Sequence, residues 1–443
     1  MTVHIAVPTS PHSVLSDGLT DALSALDDAH LRRRRRTLES PQAARVTVDG
    51  KQYVAFCSND YLGLANHPEL IATAQDATAR WGVGAGASHL VLGHMGPHQA
   101  AEERLADFVG LPRALLFSGG YMANLGVVTA LVGRGEAVFA DKLNHASLND
   151  ACLLARADFK RFPHNDMATL EKLLAASTAK RKLIAVDAVF SMDGDLAPVQ
   201  ELLALAERYD AWLYLDDAHG FGVLGAQGRG ILSHAGLASD HDGEALHSLP
   251  CALRGGGLGR GQTPSPPSQT SPASRGRSLK AVSLVADRII YMATLGKAAG
   301  VSGAFVAAAP VVIDTLIQRA RTYIYTTATP PAQAATVTKS LELIARDDWR
   351  RERLRELIAQ LKAGVPTAMR LAPSDTAIQP LMVGDNARAL ALTATLAARG
   401  VLVPAIRPPT VPAGTARLRI SLSAAHEAAD VAVLLDALAD GHA

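Results

Sequence analysis

Between about residues 112 and 308, short and continuously apolar runs alternate with segments of helical periodicity. That alternation restricts the fold of this 443-residue chain more than any other feature. Candidate strands are 114–117, 137–140, 183–187, 212–215, 288–292 and 304–308. None alternates apolar with polar residues, so both faces of each strand must be covered, as in a parallel sheet flanked by helices. Between the strands, Leu170-Glu171-Lys172-Leu173-Leu174 and 199–209 carry apolar residues at helical spacing; Asp195 is placed to cap the second helix and Pro198 suits its first turn. The expected fold class is α/β, a mostly parallel central sheet covered by helices, with a smaller α+β C-terminal domain. That domain is read from helical patterns at 339–346, 351–361 and 428–438 and an alternating, half-buried strand at 417–423. The expected divisions are an N-terminal arm and helix at 1–60, a large domain at 61–325 and the C-terminal domain at 326–443. Of the 24 residues from 255 to 278, 15 are Gly, Pro or Ser, so 240–285 reads as a basic, disordered surface insertion with too little apolar surface to offset ordering.

In such sheets ligands bind beyond the carboxyl ends of the strands. Lys297 falls there, in Thr294-Leu295-Gly296-Lys297-Ala298-Ala299-Gly300, where small neighbours let an aldehyde approach. A Schiff-base lysine also needs its pKa well below the ordinary value of about 10.4. Alone, such a lysine is more often a solvated loop charge. A second strand end, Asp216-Asp217-Ala218-His219-Gly220, supplies an acid and an imidazole, although an Asp-Asp pair can also cap a helix or ligate a metal. Together the two segments ask for pyridoxal phosphate (PLP), which needs a lysine, a carboxylate against its ring nitrogen, an anion site and a flat stacking group. Asp216 fits the carboxylate. Ser118-Gly119-Gly120, between a strand and the helix that begins at Tyr121, offers backbone N–H groups and a helix dipole to a phosphate.

The net charge is +1 with basic residues spread along the chain, which leaves no electrostatic footprint for nucleic acid. The run from Arg32 to Arg36 reads as a solvated charge cluster. The uncharged stretch 114–133 is interrupted by Ser118, Gly119, Gly120 and Asn124, which argues against a membrane span of about 20 apolar residues. Cys57, Cys152 and Cys251 lack metal-ligand spacing, so no metal site is expected. With no secretory signal visible, a cytoplasmic enzyme is expected.

Six segments resemble a known family. They are Ser58-Asn59-Asp60-Tyr61-Leu62-Gly63-Leu64, Asn144-His145-Ala146-Ser147, Phe190-Ser191-Met192-Asp193-Gly194-Asp195, Asp216-Asp217-Ala218-His219-Gly220, Thr294-Leu295-Gly296-Lys297 and Ile406-Arg407-Pro408-Pro409-Thr410-Val411-Pro412-Ala413-Gly414-Thr415. The chain is similar over nearly its whole length to the α-oxoamine synthases, within the fold-type I PLP enzymes. The last segment favours the biotin-pathway branch that makes 8-amino-7-oxononanoate; sister branches use glycine or serine, and a non-catalytic scaffold of the same fold is the more distant alternative.

The resemblance implies that Lys297 bonds the cofactor aldehyde, Asp216 pairs with the ring nitrogen and His145 stacks on the ring. Ser191 and His219 would bond the phenolic oxygen. Gly120, Tyr121 and Thr294 would lie at the phosphate, with Thr326 or Thr327 reaching it from a second subunit of a homodimer. Arg407 would hold the amino-acid carboxylate, Thr410 would line the acyl pocket, Asn59 would sit at the pocket edge, and Arg32 would contact substrate. The implied reaction is a decarboxylative condensation of L-alanine with a pimeloyl thioester, carried by coenzyme A or an acyl carrier protein. Two departures stand out: the 240–285 insertion, and Leu92 and Met95 where small or polar residues are expected in the 82–96 stretch.

Overall fold

The computed structural model describes residues 14–237 and 287–440. The 240–285 insertion lies outside the described residues. Two compact units divide the chain: Met1–Ser58, Met192–Gly194 and Arg353–Ala443 form one, and Asn59–Ser191 with Asp195–Glu352 the other. These boundaries differ from the expected 60/61 and 325/326. Helix Pro331–Arg346 explains the second difference: it buries Ala334, Val337, Leu341 and Ile344 on the large unit, against helices Pro68–Trp81 and Gly96–Val109.

The large unit is built on a seven-stranded sheet. Its spatial order is Arg113–Phe117, Ala304–Ala308, Ile289–Thr294, Trp212–Asp216, Lys182–Asp187, Ala137–Asp141 and Asp158–Phe162. Every neighbouring pair is parallel except those of Ala304–Ala308, which runs antiparallel to both its neighbours. Asp158–Phe162 escapes the sequence pattern because it is an edge strand, with Asp158, Lys160 and Arg161 along it. The central strands are buried on both faces, as their unbroken apolar runs require. One core cluster packs Leu115, Val138, Leu183, Tyr214, Ile290 and Val306 against helices Gly120–Leu131, Ala146–Ala155 and Pro310–Arg319. Burying an aliphatic side chain of this kind stabilises by about 1.5–3 kcal/mol. Asp195 does not cap helix Val199–Arg208; Pro198 holds the cap position, and Asp195 instead accepts a 2.7 Å hydrogen bond from His164 Nε2.

The smaller unit has a four-stranded sheet, ordered Arg370–Leu371, Ile378–Gly384, Ala416–Ser421 and Ala405–Ile406, and a three-stranded one in which Val401–Leu402 runs parallel to Lys51–Ala55. The strand expected to be half-buried is buried along its whole length. Its polar positions tolerate burial because they are paired: Arg417 binds Asp193, and Arg419 donates to Ser421 Oγ at 2.8 Å. Among the described residues, no helix is long and apolar enough to cross a membrane.

Candidate active site

The carboxyl ends of three adjacent strands bring the expected groups of the large unit together. Trp212–Asp216 pairs with Lys182–Asp187 on one side and Ile289–Thr294 on the other, placing Asp216 opposite Asp187 and Met292. Lys297 lies three residues beyond the third strand, and its Nζ is 3.1 Å from His219 Nε2. His219 Nδ1 is 2.7 Å from the Tyr61 hydroxyl, which donates to Asn59 Oδ1 at 3.1 Å.

A second network holds Asp216. Its Oδ1 accepts from the Ala218 backbone N–H at 3.1 Å and its Oδ2 from Asn124 Nδ2 at 2.8 Å. The same Asn124 amide donates to Ser147 Oγ at 2.8 Å, and Ser147 Oγ is 2.7 Å from His145 Nδ1. Tyr214 fixes the amide's orientation by donating to Asn124 Oδ1 at 2.6 Å; burial, reinforced by the nearby Asp216 charge, pushes its phenol well above the ordinary range and keeps it a donor. His145 caps helix Ala146–Ala155, accepting from Ser147 N–H at 3.3 Å, while the residue as a whole stays exposed. Asp187 is buried beside Asp216. Burial and then repulsion from that neighbour push its carboxyl well above the usual range; Oδ2 accepts from His145 N–H at 2.9 Å and Oδ1 has no hydrogen-bond partner.

The anion site is a helix start. Helix Gly120–Leu131 has Gly119 at its cap and no side chain closing its first turn. A Cβ on Gly120 would stand 2.6 Å from Thr294 Cγ2, so only glycine lets this turn lie against the strand that leads to Lys297. Thr294 Oγ1 in turn donates to Ala218 O at 3.4 Å. Tyr121 is exposed and its hydroxyl is bonded to Asp150, which raises its pKa. Ser191 is half-buried in the turn closed by Phe190 N–H and Asp195 O at 3.0 Å. Thr326 and Thr327 line a small cleft with Ser118, Thr322 and His89 of their own chain.

The remaining expected residues belong to the smaller unit. Arg407 donates to His30 O; burial first, and then the like charge of Arg33, lower its pKa. Within the arginine run, Arg33 donates to Thr410 Oγ1 at 3.2 Å, whereas Arg32 is paired with Asp27 at 2.5 Å. Leu92, where a small or polar residue was expected, is 86 % exposed.

Asn124, Asp187 and Tyr61 carry much of this geometry and were not singled out as site residues in the sequence. Of the three, Tyr61 alone had a signal, since it stands inside the Ser58–Leu64 segment. The donor set fits PLP: an amine, a carboxylate held by two donors, an anchored imidazole, and an uncapped helix start whose close approach only glycine allows.

Comparison with known proteins agrees. A model of the aminotransferase class I and II family matches residues 51–253 and 256–438. The 8-amino-7-oxononanoate synthase of Nitrosospira multiformis is 57% identical over 423 residues, which is 95% of this chain and 95% of that protein. The chain belongs to the 8-amino-7-oxononanoate synthases. It is therefore an enzyme, a PLP-dependent acyltransferase of the biotin pathway. Among solved structures, a serine palmitoyltransferase of S. paucimobilis with bound PLP–myriocin is 29% identical, with a TM-score of 0.80, and covers 97% of this chain and 98% of its own. An 8-amino-7-oxononanoate synthase of Francisella tularensis is 25% identical, with a TM-score of 0.67, and covers 88% and 97%. The backbone thus matches both branches, and the 57% identity to the Nitrosospira enzyme places the chain among the 8-amino-7-oxononanoate synthases.

Proposed function

We propose that this protein condenses L-alanine with a pimeloyl thioester, releasing carbon dioxide and the carrier thiol and giving 8-amino-7-oxononanoate. PLP, when bound, supplies the electron sink that lets alanine's α-carbon act as a nucleophile. The observation that carries this reading is the 3.1 Å approach of Lys297 Nζ to His219 Nε2 beside the strand end that holds Asp216.

Asp216, restrained by Asn124 and the Ala218 N–H, would pair with the cofactor's ring nitrogen and keep it protonated. Lys297 takes the α-proton at Nζ and returns it once carbon dioxide has left. His145 would stack on the ring, and Ser191 and His219 would bond its phenolic oxygen. The Gly120 helix start, with Tyr121 and Thr294, would receive the phosphate. Arg407, Thr410, Asn59 and Arg32 are the proposed substrate contacts.

A homodimer is part of the same reading, with Thr326 or Thr327 reaching a second subunit's phosphate site. Its support is an apolar strip: Val83, Val91, Leu92 and Tyr325 are 79 %, 69 %, 86 % and 70 % exposed. The Ser88 to Thr327 bridge and the 2.9 Å bond from Ala328 N–H to Ala87 O draw the two segments together. Apolar surface of this kind is ordinarily covered by a partner. The free thiols Cys57 and Cys152 accord with a cytoplasmic location.

The test is turnover by the purified protein with alanine, glycine or serine, each against pimeloyl-coenzyme A, pimeloyl-acyl carrier protein and a long-chain acyl-coenzyme A. Product is expected from alanine, and none from Lys297→Ala. Preference for serine with a long-chain thioester would move the protein to the palmitoyltransferase branch, and full turnover by Lys297→Ala would sink the scheme.

A further inference from the structure

Tyr61 has no part in the reaction as described, yet it is 1 % exposed and meets His219 directly. Its hydroxyl donates to Asn59 Oδ1 at 3.1 Å and lies 2.7 Å from His219 Nδ1. Across the imidazole, Nε2 lies 3.1 Å from Lys297 Nζ. A phenol has one hydrogen, and a neutral imidazole carries one proton on its two nitrogens. With the phenol hydrogen spent on Asn59, the phenol oxygen must accept from Nδ1–H. The bare nitrogen is then Nε2, and it faces the amine.

We infer that Tyr61, anchored by Asn59, is a positioning residue that fixes His219 as the Nδ1–H tautomer, so that Nε2 is the atom able to take a proton from Lys297. In that transfer an N–H bond of the Lys297 ammonium breaks and one forms at Nε2. The lysine becomes a neutral amine, and His219 becomes an imidazolium that still donates Nδ1–H to Tyr61. The carboxamide oxygen of Asn59 is too weak a base to draw the phenol's hydrogen away. In the opposite tautomer Nε2–H would point at an ammonium, two donors facing each other.

The inference rests on Lys297 being the reactive amine, so the deciding readout is taken without cofactor or substrate. Cofactor-free protein labelled with [15N]histidine, with His219 assigned from the spectrum of His219→Asn, reports which ring nitrogen is protonated. Nδ1–H is expected in the natural chain, with the preference lost in Tyr61→Phe and in Asn59→Ala. In the holoenzyme, Tyr61→Phe should lower kcat about tenfold, the scale of one hydrogen bond, and leave the KM for alanine within about twofold. Nε2–H in the natural chain overturns the proposal, as does an unchanged tautomer with full kcat in Tyr61→Phe. Should Tyr61→Phe not fold, the natural chain and Asn59→Ala decide it. Full turnover by Lys297→Ala would defeat the functional reading while leaving the tautomer result standing.

Discussion

Asn124 is the residue whose removal most directly tests how Asp216 is held. It is 1 % exposed and makes three buried hydrogen bonds, from Tyr214 at 2.6 Å and to Ser147 and Asp216 at 2.8 Å each. Asn124→Ala removes all three and strands a fully buried phenol and a carboxylate oxygen, each unsatisfied group costing about 1–3 kcal/mol. The expected loss is ~2–6 kcal/mol. Tyr214→Phe removes one donor and leaves Asn124 Oδ1 short of a partner, at about 1–2 kcal/mol. In the double variant no phenol is left to strand, so the loss should fall short of the two single losses added together by about 1–2 kcal/mol. Urea unfolding of the four cofactor-free proteins, followed by circular dichroism, measures the cycle. Additivity within ~0.5 kcal/mol would show that the two side chains do not act as one unit, and the account of Asp216 would fail. In the same series, PLP affinity should drop roughly tenfold for Asn124→Ala, because one carboxylate oxygen loses its fixed donor.

His164 bridges Asp141 and Asp195; burial alone would lower its pKa, but hydrogen bonds to the two carboxylates outweigh it and raise the value to about 10. The folded state therefore keeps a proton that the unfolded chain gives up near its ordinary value of about 6.5. This contribution is complete below that pH and is lost as pH climbs toward 10, so urea midpoints should fall over that window and His164→Gln should flatten the slope. Gly120→Ala should weaken PLP binding about tenfold through its collision with Thr294 Cγ2, and Thr294→Ser, which deletes that methyl, should restore part of it in a fluorescence titration. Leu92→Asp should shift the protein toward monomer in sedimentation, since a charge would sit where an apolar strip awaits a partner.

The sheet was legible because its central strands are buried on both faces and so read as unbroken apolar runs. Asp158–Phe162 was not, since an edge strand tolerates charged residues, and Asp158 and Arg161 stay exposed along it. The alternation at 417–423 was misleading: alternation signals one wet face only when polar residues go unpaired, and here Asp193 and Ser421 satisfy the arginines. At the site, Lys297, Asp216 and His219 could be found because each stands at or just past the end of a strand. Asn124 and Asp216 are 92 residues apart and Tyr61 and His219 are 158 apart, so the bonds between them leave no local spacing to read. The Arg33 to Thr410 contact, spanning 377 residues, was out of reach for the same reason.

The smaller unit is assembled from three separated pieces of chain, and strand Lys51–Ala55 has Val401–Leu402 as its parallel neighbour. That neighbour leaves the ribosome about 350 residues later, roughly 20–70 s at ordinary synthesis rates. Throughout that interval Tyr53 and Val54 have only the preceding strand Arg45–Val48 to pair with, so the far edge of Lys51–Ala55 stays unsheltered. Chaperone demand during translation, and not only after release, is written into this order of assembly.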